Sequence, residues 1–243
     1  MSDPSVDRAL GPERSTALEV WTIVVAGGAG LRFGSRKQFA DLAGRSVVQR
    51  SVDVAATCST GVVVVVPQDM LDDHGVHVDT NPATSANRIG PVLRIVAGGA
   101  SRAESVRAGI AAIPPSCSAI LVHDAARPLA SAQLFSRVVS ALAQGADAVV
   151  PVVPLSDTIR HRDGGVVDRD ELLAVQTPQG FSVDALRRAH DIGEDATDDA
   201  TLVERSGGTV RVVDGEVTNR KITDPTDIVT ATAVLDAASG AAT

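Results

Sequence analysis

The chain carries 22 lysines and arginines, yet lysine stands only at Lys37 and Lys221. Everywhere else the basic residue is arginine. A lysine kept against that trend suits a place that needs a compact ammonium on a flexible stem, where a planar guanidinium does not fit. The alternative is two surface lysines surviving by chance. Each, however, flanks a loop that draws notice on other grounds. Lys37 closes the stretch that begins Gly27-Gly28-Ala29-Gly30 and also holds Arg32 and Arg36. Glycines let the backbone approach a ligand closely and turn its N–H groups toward an anion. Together with the cations, they describe a phosphate cradle; the plainer reading is a tight turn with solvated charges. Lys221 stands in Thr218-Asn219-Arg220-Lys221-Ile222, just ahead of a helix start at Pro225.

Neither common phosphate-loop motif applies. A Walker loop needs Ser or Thr after its lysine, and Gln38 follows Lys37. A dinucleotide fingerprint needs a third glycine where Phe33 sits. Two further clusters could meet an anion. Ser101-Arg102-Ala103-Glu104 has capping-box spacing. Arg102 and Ser105 then lie in a first helical turn, where free N–H groups and the helix dipole favour negative charge; a plain helix cap accounts for part of the pattern. His123-Asp124-Ala125-Ala126-Arg127-Pro128 follows an apolar run. In open α/β sheets ligands bind beyond the carboxyl ends of strands. Asp124 there either holds a divalent cation together with phosphate oxygens or pairs with Arg127, and strand order decides which. His74 and His77 have no carboxylate or cysteine beside them and read as a solvated loop rather than a metal site.

Positioning these groups requires a sheet. The chain has 243 residues and 44% apolar composition, enough for one large α/β unit or two small ones. Its core must be built from Val, Ala and Leu, because aromatics are 2% and Tyr is absent. A net charge of −8 argues against a general nucleic-acid binder while allowing a local basic pocket. Cys58 and Cys117 lack metal spacing and read as reduced core thiols. With neither a signal peptide nor an apolar run long enough to span a bilayer, the expectation is a soluble, cytoplasmic protein without membrane contact.

Residues 1–19 read as a disordered tail. Strands are expected over 20–26, 61–66, 92–96, 119–122, 146–151 and 209–213. Helices are expected over 46–57, 103–113, 131–144, 182–192 and 197–206, with a last one from Pro225. Residues 67–91 look like an irregular insertion. Between about 155 and 176 short strands and turns around Gly164-Gly165 suggest a projecting β-arm. The alternation gives an α/β fold, a doubly wound and mostly parallel sheet with that arm, over residues 20–238 as a single domain.

Taken in order, these motifs resemble those of the 2-C-methyl-D-erythritol 4-phosphate cytidylyltransferase family. They are Ala26-Gly-Gly-Ala-Gly-Leu-Arg32, Lys37-Gln-Phe39, Gly98-Gly-x-x-Arg102-x-x-Ser105-Val106, Val122-His-Asp-Ala-Ala-Arg-Pro128, Asp157-Thr158, Val167-Asp-Arg169, Gln176-Thr-Pro-Gln179 and Asn219-x-Lys221-Ile-Thr223. The resemblance implies a Rossmann-like nucleotidyltransferase fold and transfer of CMP from CTP to a sugar-alcohol phosphate. Pyrophosphate leaves, with Mg²⁺ or another divalent cation bridging the triphosphate. It implies catalytic roles for Arg32, Lys37 and Lys221, and nucleotide contacts from Ala26, Gly27, Gly28, Gly30, Gly99, Arg102, Ser105 and Ala125. Asp124 would serve metal and substrate, and Arg127, Thr158, Arg169 and Thr177 the acceptor. Thr158 and Arg169 lie in the arm, which implies a homodimer whose arms reach across. The chain departs from the family where the Arg32–Lys37 loop is short, where Arg36 replaces a usual proline, and where Arg220 replaces an apolar residue. The competing readings are a ribitol 5-phosphate cytidylyltransferase and a nucleotide-binding homologue without catalysis.

Overall fold

The computed structural model describes residues 18–27, 36–72, 92–193 and 195–240. The strands are β1 (Val20–Val25), β2 (Asp41–Leu42), β3 (Arg45–Ser46), β4 (Gly61–Val66), β5 (Val92–Ala97), β6 (Ala119–Asp124), β7 (Ala148–Pro154), β8 (Ile159–Arg160), β9 (Val166–Val167), β10 (Leu173–Val175), β11 (Gln179–Ser182) and β12 (Val210–Asp214). The α-helices are α1 (Val47–Cys58), α2 (Gln68–Asp72), α3 (Arg102–Ala111), α4 (Ala132–Leu142), α5 (Val183–Asp191), α6 (Asp199–Arg205) and α7 (Pro225–Gly240).

One large sheet runs β10-β7-β11-β6-β1-β4-β5, with β12 also paired to β7. β1, β4, β5 and β6 are mutually parallel. β11 runs antiparallel between β6 and β7. The chain leaves β1 toward β4 and β5, then returns to β6 on the other side of β1. The order therefore reverses between β1 and β6, and the crevice at their carboxyl ends is where such sheets take ligands.

Side-chain alternation explains the two helical layers. Val20 and Val24 of β1, Val62, Val64 and Val66 of β4 and Leu121 of β6 pack with α1 and α4 on one face. Trp21 and Ile23, Val63 and Val65, and Ile120 and Val122 pack with α3, α5 and α6 on the other. Helix starts are set by side chains that accept a backbone N–H: Ser46, Ser101, Ser131, Ser182 and Asp198 cap α1, α3, α4, α5 and α6. At Ser101 the expected capping box is complete, with Glu104 answering the cap backbone.

Several expectations shift. Residues 179–182, where no strand is expected, form β11, a short strand whose slot is created by β6 and β7. A Cβ at Gly180 would lie 2.4 Å from Val138, so only glycine lets α4 close on this strand. The region assigned to the arm divides. β8 and β9 form a separate hairpin around Gly164 and Gly165, both at positive φ, while β10 joins the main sheet beside β7. Glu19, assigned to the tail, is fastened: its carbonyl accepts from Ser118 and Ala119. Most of the expected insertion, including His74 and His77, lies outside the described residues, as do residues 1–17; Gln68–Asp72 are helical. Cys58 and Cys117 are free thiols, and burial pushes the Cys117 thiol up to about 11. Among the described residues no helix is long and apolar enough to cross a membrane.

Candidate active site

Beyond the ends of β1 and β6 lies a cavity of about 320 Å³, lined by Ala26, Gly27, Lys37, Gly99, Arg102, Ser105, Asp124, Ala125 and Lys221 among others. These residues come from five separate stretches of chain, and the fold explains how each arrives. Ala26 and Gly27 simply continue β1. The Ala26 N–H donates to the Val65 carbonyl at 2.8 Å, and its own carbonyl accepts from buried Gln38 at 2.7 Å. Gln38 thereby fixes the short 3₁₀ turn that carries Lys37. Gly98 and Gly99 follow β5. A Cβ at Gly99 would lie 2.3 Å from the Glu104 Cβ, so the capping box and the bare backbone at the cavity wall require each other. Ser105 is buried, and its hydroxyl donates to the Ser101 carbonyl at 2.9 Å.

Lys221 arrives from the far end of the chain. Ile222 anchors it, with its side chain buried among Leu42, Val47 and Ala231. The Ile222 N–H donates to the Ala126 carbonyl at 2.7 Å, and its carbonyl accepts from Lys37 Nζ at 2.7 Å. Both lysines thus meet at one backbone unit, which Lys37 reaches across 185 residues of sequence. Lys221 Nζ lies 2.7 Å from Asp124 Oδ2, and Arg102 Nε lies 3.8 Å from Asp124 Oδ1. Burial pushes the Asp124 carboxyl upward, but Lys221, Arg102 and Arg127 outweigh it and hold the group at about 2. Asp124 is therefore ionised at neutral pH.

The ion-pair partners of Asp124 are Lys221 and Arg102 rather than Arg127. Arg127 is a strut: its guanidinium donates to the carbonyls of Asn219 at 2.8 Å and Val175 at 3.0 Å. Thr177 is buried beneath Asp124. Its hydroxyl accepts from the Asp124 N–H at 3.0 Å and sits 3.1 Å from His123 Nδ1. Thr158 and Arg169 are exposed beside the β8–β9 hairpin and do not line this chain's own cavity. Arg169 donates to the Ser156 carbonyl at 2.5 Å. Arg36, grouped with the cradle by sequence, pairs with Asp69 of α2. Gly28, Gly30 and Arg32 lie outside the described residues.

The electrostatics suit an anion. Among the described residues, Lys37, Arg102 and Lys221 face the cavity against the single carboxylate of Asp124. Among the described residues no group of three or more His, Cys, Asp or Glu side chains could hold a metal by itself. One ionised carboxylate completed by phosphate oxygens is nevertheless how Mg²⁺ is commonly bound. Asp124 fits that arrangement. Gln38, Ser101 and Ala126, which the sequence gives no site role, also line the cavity, and Asp199 holds Arg102 from behind at 2.6 Å. The capping box marks the wall at Ser101; nothing local marks Asp199.

A reversed-order parallel sheet with a cationic crevice at the switch point defines an α/β nucleotide-binding protein. The family is more definite. Residues 20–237 match the model of the IspD family, described as 2-C-methyl-D-erythritol 4-phosphate cytidylyltransferase, and the chain belongs to that family. It is 41% identical over 227 residues to the protein of that name from Rhodococcus jostii, covering 89% of this chain and 95% of that one. It is 42% identical over 235 residues to the bifunctional enzyme IspD/IspF of Nitratidesulfovibrio vulgaris, covering 90% of this chain and 58% of that protein. The chain thus spans little more than half the length of such bifunctional relatives. The crystal structure of 2-C-methyl-D-erythritol 4-phosphate cytidylyltransferase from Thermus thermophilus superposes with a TM-score of 0.70 at 36% identity, over 89% of this chain and 98% of that one. The structure of 4-diphosphocytidyl-2C-methyl-D-erythritol synthase from Anaerococcus prevotii gives 0.76 at 28% identity, over 90% and 99%.

Proposed function

We propose that this chain is a cytidylyltransferase. It moves CMP from CTP onto the phosphate of 2-C-methyl-D-erythritol 4-phosphate and releases pyrophosphate, a step of isoprenoid precursor synthesis. The supporting observation is the convergence of Lys37, Lys221 and Arg102 with Asp124 on one cavity at the switch point, in a chain of this family.

An oxygen of the acceptor phosphate forms a bond to the α-phosphorus of CTP. The bond from that phosphorus to the oxygen bridging to the β-phosphate breaks, and its electron pair leaves with pyrophosphate. The attacking phosphate is already largely ionised at neutral pH, since its second pKa is about 6. A general base is therefore dispensable, and positioning and charge neutralisation carry the rate. Lys37 and Lys221, tied to one another through Ile222, hold ammonium groups where charge grows on the reacting phosphates. In this reading Arg32, Gly28 and Gly30 also serve the triphosphate. Gly99, Arg102, Ser105 and Ala125 seat the nucleoside. Asp124, whose backbone is held by the Thr177 hydroxyl and the Arg127 N–H, would face the metal and the acceptor. A divalent cation, Mg²⁺ foremost, would be held by Asp124 and would offset triphosphate charge.

The working form in this reading is a homodimer. Val166, Leu172, Leu173 and Val175 leave apolar side chains exposed around the hairpin and β10, which favours a partner there. Thr158 and Arg169 then serve the partner's cavity. The setting is cytoplasmic, in keeping with the free thiols at Cys58 and Cys117.

The test is pyrophosphate release from CTP with Mg²⁺, offering 2-C-methyl-D-erythritol 4-phosphate and ribitol 5-phosphate in parallel. Release with the first alone is expected. Release with ribitol 5-phosphate alone would replace the acceptor, and CTP binding without release from either would mark a non-catalytic homologue.

A further inference from the structure

Arg102 is a cavity cation whose charge is balanced from the protein interior. Asp199, the first residue of α6, is only 1% exposed. Its Oδ2 lies 2.6 Å from Arg102 Nη1, and its Oδ1 lies 3.0 Å from Nε2 of buried His190 on α5. A row of alternating charge therefore runs Lys221, Asp124, Arg102, Asp199 from the cavity into the space between α3, α5 and α6. The distances along it are unequal. Arg102 makes a hydrogen-bonded ion pair with Asp199 and stands at 3.8 Å from Asp124, beyond hydrogen-bond reach.

That inequality has a physical consequence. Asp124 already has a short partner in Lys221, so it cannot by itself fix a long, rotamer-rich arginine. A guanidinium presents its donors in a rigid fork, so one edge can be tied down while the other faces a ligand. Tying it down beforehand removes ordering entropy that binding would otherwise have to overcome. Burial raises the Asp199 carboxyl, yet the His190 and Arg102 contacts outweigh it and keep the group lowered. Asp199 is thus an ionised anchor throughout the working pH range.

We infer that Asp199 is a positioning residue for nucleotide binding, holding Arg102 against the cavity wall in the orientation the nucleotide meets. The inference rests on the nucleotide occupying this cavity. A purely structural role would be different: Asp199 would then pin α5 to α6 through His190, and its loss would lower stability without a selective effect on CTP.

The experiment is a double-mutant cycle read on the KM for CTP, using Arg102→Ala, Asp199→Asn and the pair. Losing a charged hydrogen bond raises KM for each single variant by roughly 10- to 100-fold, with kcat changing less than about threefold. The double variant should be no worse than Arg102→Ala alone, because Asp199 acts only through Arg102. An equal effect of Asp199→Asn with and without Arg102 would overturn the inference, as would an unchanged KM in folded Asp199→Asn. If that variant does not fold, Arg102→Lys decides. A single ammonium cannot both hold Asp199 and face the cavity, so KM should rise by the same order; a KM within about threefold of wild type would overturn the inference. The two levels separate cleanly. If Arg102→Ala leaves the KM for CTP unchanged, the nucleotide does not sit here and both readings fall. If Arg102→Ala raises it and Asp199→Asn does not, only the role of Asp199 falls.

Discussion

His123 makes the stability of the fold depend on pH in a calculable way. It is 0% exposed at the end of β6, with its ring centroid 5.3 Å from that of Phe135. Burial lowers its pKa from 6.5 to about 4; Asp124 favours the charged ring and Arg127 opposes it. The Thr177 hydroxyl accepts from the Asp124 N–H at 3.0 Å and stands 3.1 Å from Nδ1. The folded protein thus holds a neutral imidazole at pH 7. Below pH 6.5 the unfolded chain takes up a proton that the folded chain refuses. Stability falls as pH drops from 6.5 and the loss is complete once pH passes below about 4. At about 1.4 kcal/mol per pH unit the interval is worth about 3 kcal/mol. Roughly 2 kcal/mol of that should be gone by pH 4.5. The assay is urea unfolding of wild type and His123→Gln at pH 7 and pH 4.5. Comparing the pH dependence of each protein cancels the constant cost of the substitution and the contribution of the carboxylates. Wild type should lose about 2 kcal/mol more than the variant over this range. An equal loss in both would refute the buried neutral imidazole.

Further outcomes follow from the same geometry. Gly99→Ala places a methyl against Glu104; it should break the capping box and raise the KM for CTP by about tenfold, measured by steady-state kinetics. Ile222→Ala should lower stability by about 2–5 kcal/mol in urea unfolding, and kcat should fall as Lys221 loses its anchor. Mixing Arg169→Ala with Lys37→Ala subunits should restore up to about a quarter of wild-type activity, because a mixed dimer keeps one intact site. No recovery would show that sites are not shared between subunits.

Particular residues show what was legible in the sequence. The Ser101–Glu104 box and the run Gly61–Val66 are local signals, and they appear as α3's start and β4. The scarcity of lysine pointed to Lys37 and Lys221, and both line the cavity. Gln179–Ser182 has no strand pattern of its own; it becomes β11 because β6 and β7 leave a slot for it. The Arg102–Asp199 pair spans 97 residues and Lys37–Ile222 spans 185, so neither is written in any local window. Arg127 shows the reverse case. Its place at a strand end marks it for a ligand, yet tertiary contacts give it two backbone carbonyls to hold.

The central claim is that the Lys221 ammonium beside Asp124 stabilises the transition state of cytidylyl transfer. The most direct measurement is the turnover of Lys221→Ala with CTP, Mg²⁺ and 2-C-methyl-D-erythritol 4-phosphate, alongside its unfolding midpoint. The account predicts a kcat lower by about 100-fold or more in a protein that still unfolds cooperatively, with a lowered midpoint because Asp124, largely buried, loses its short partner. A kcat within about threefold of wild type would remove Lys221 from the chemistry and contradict the account.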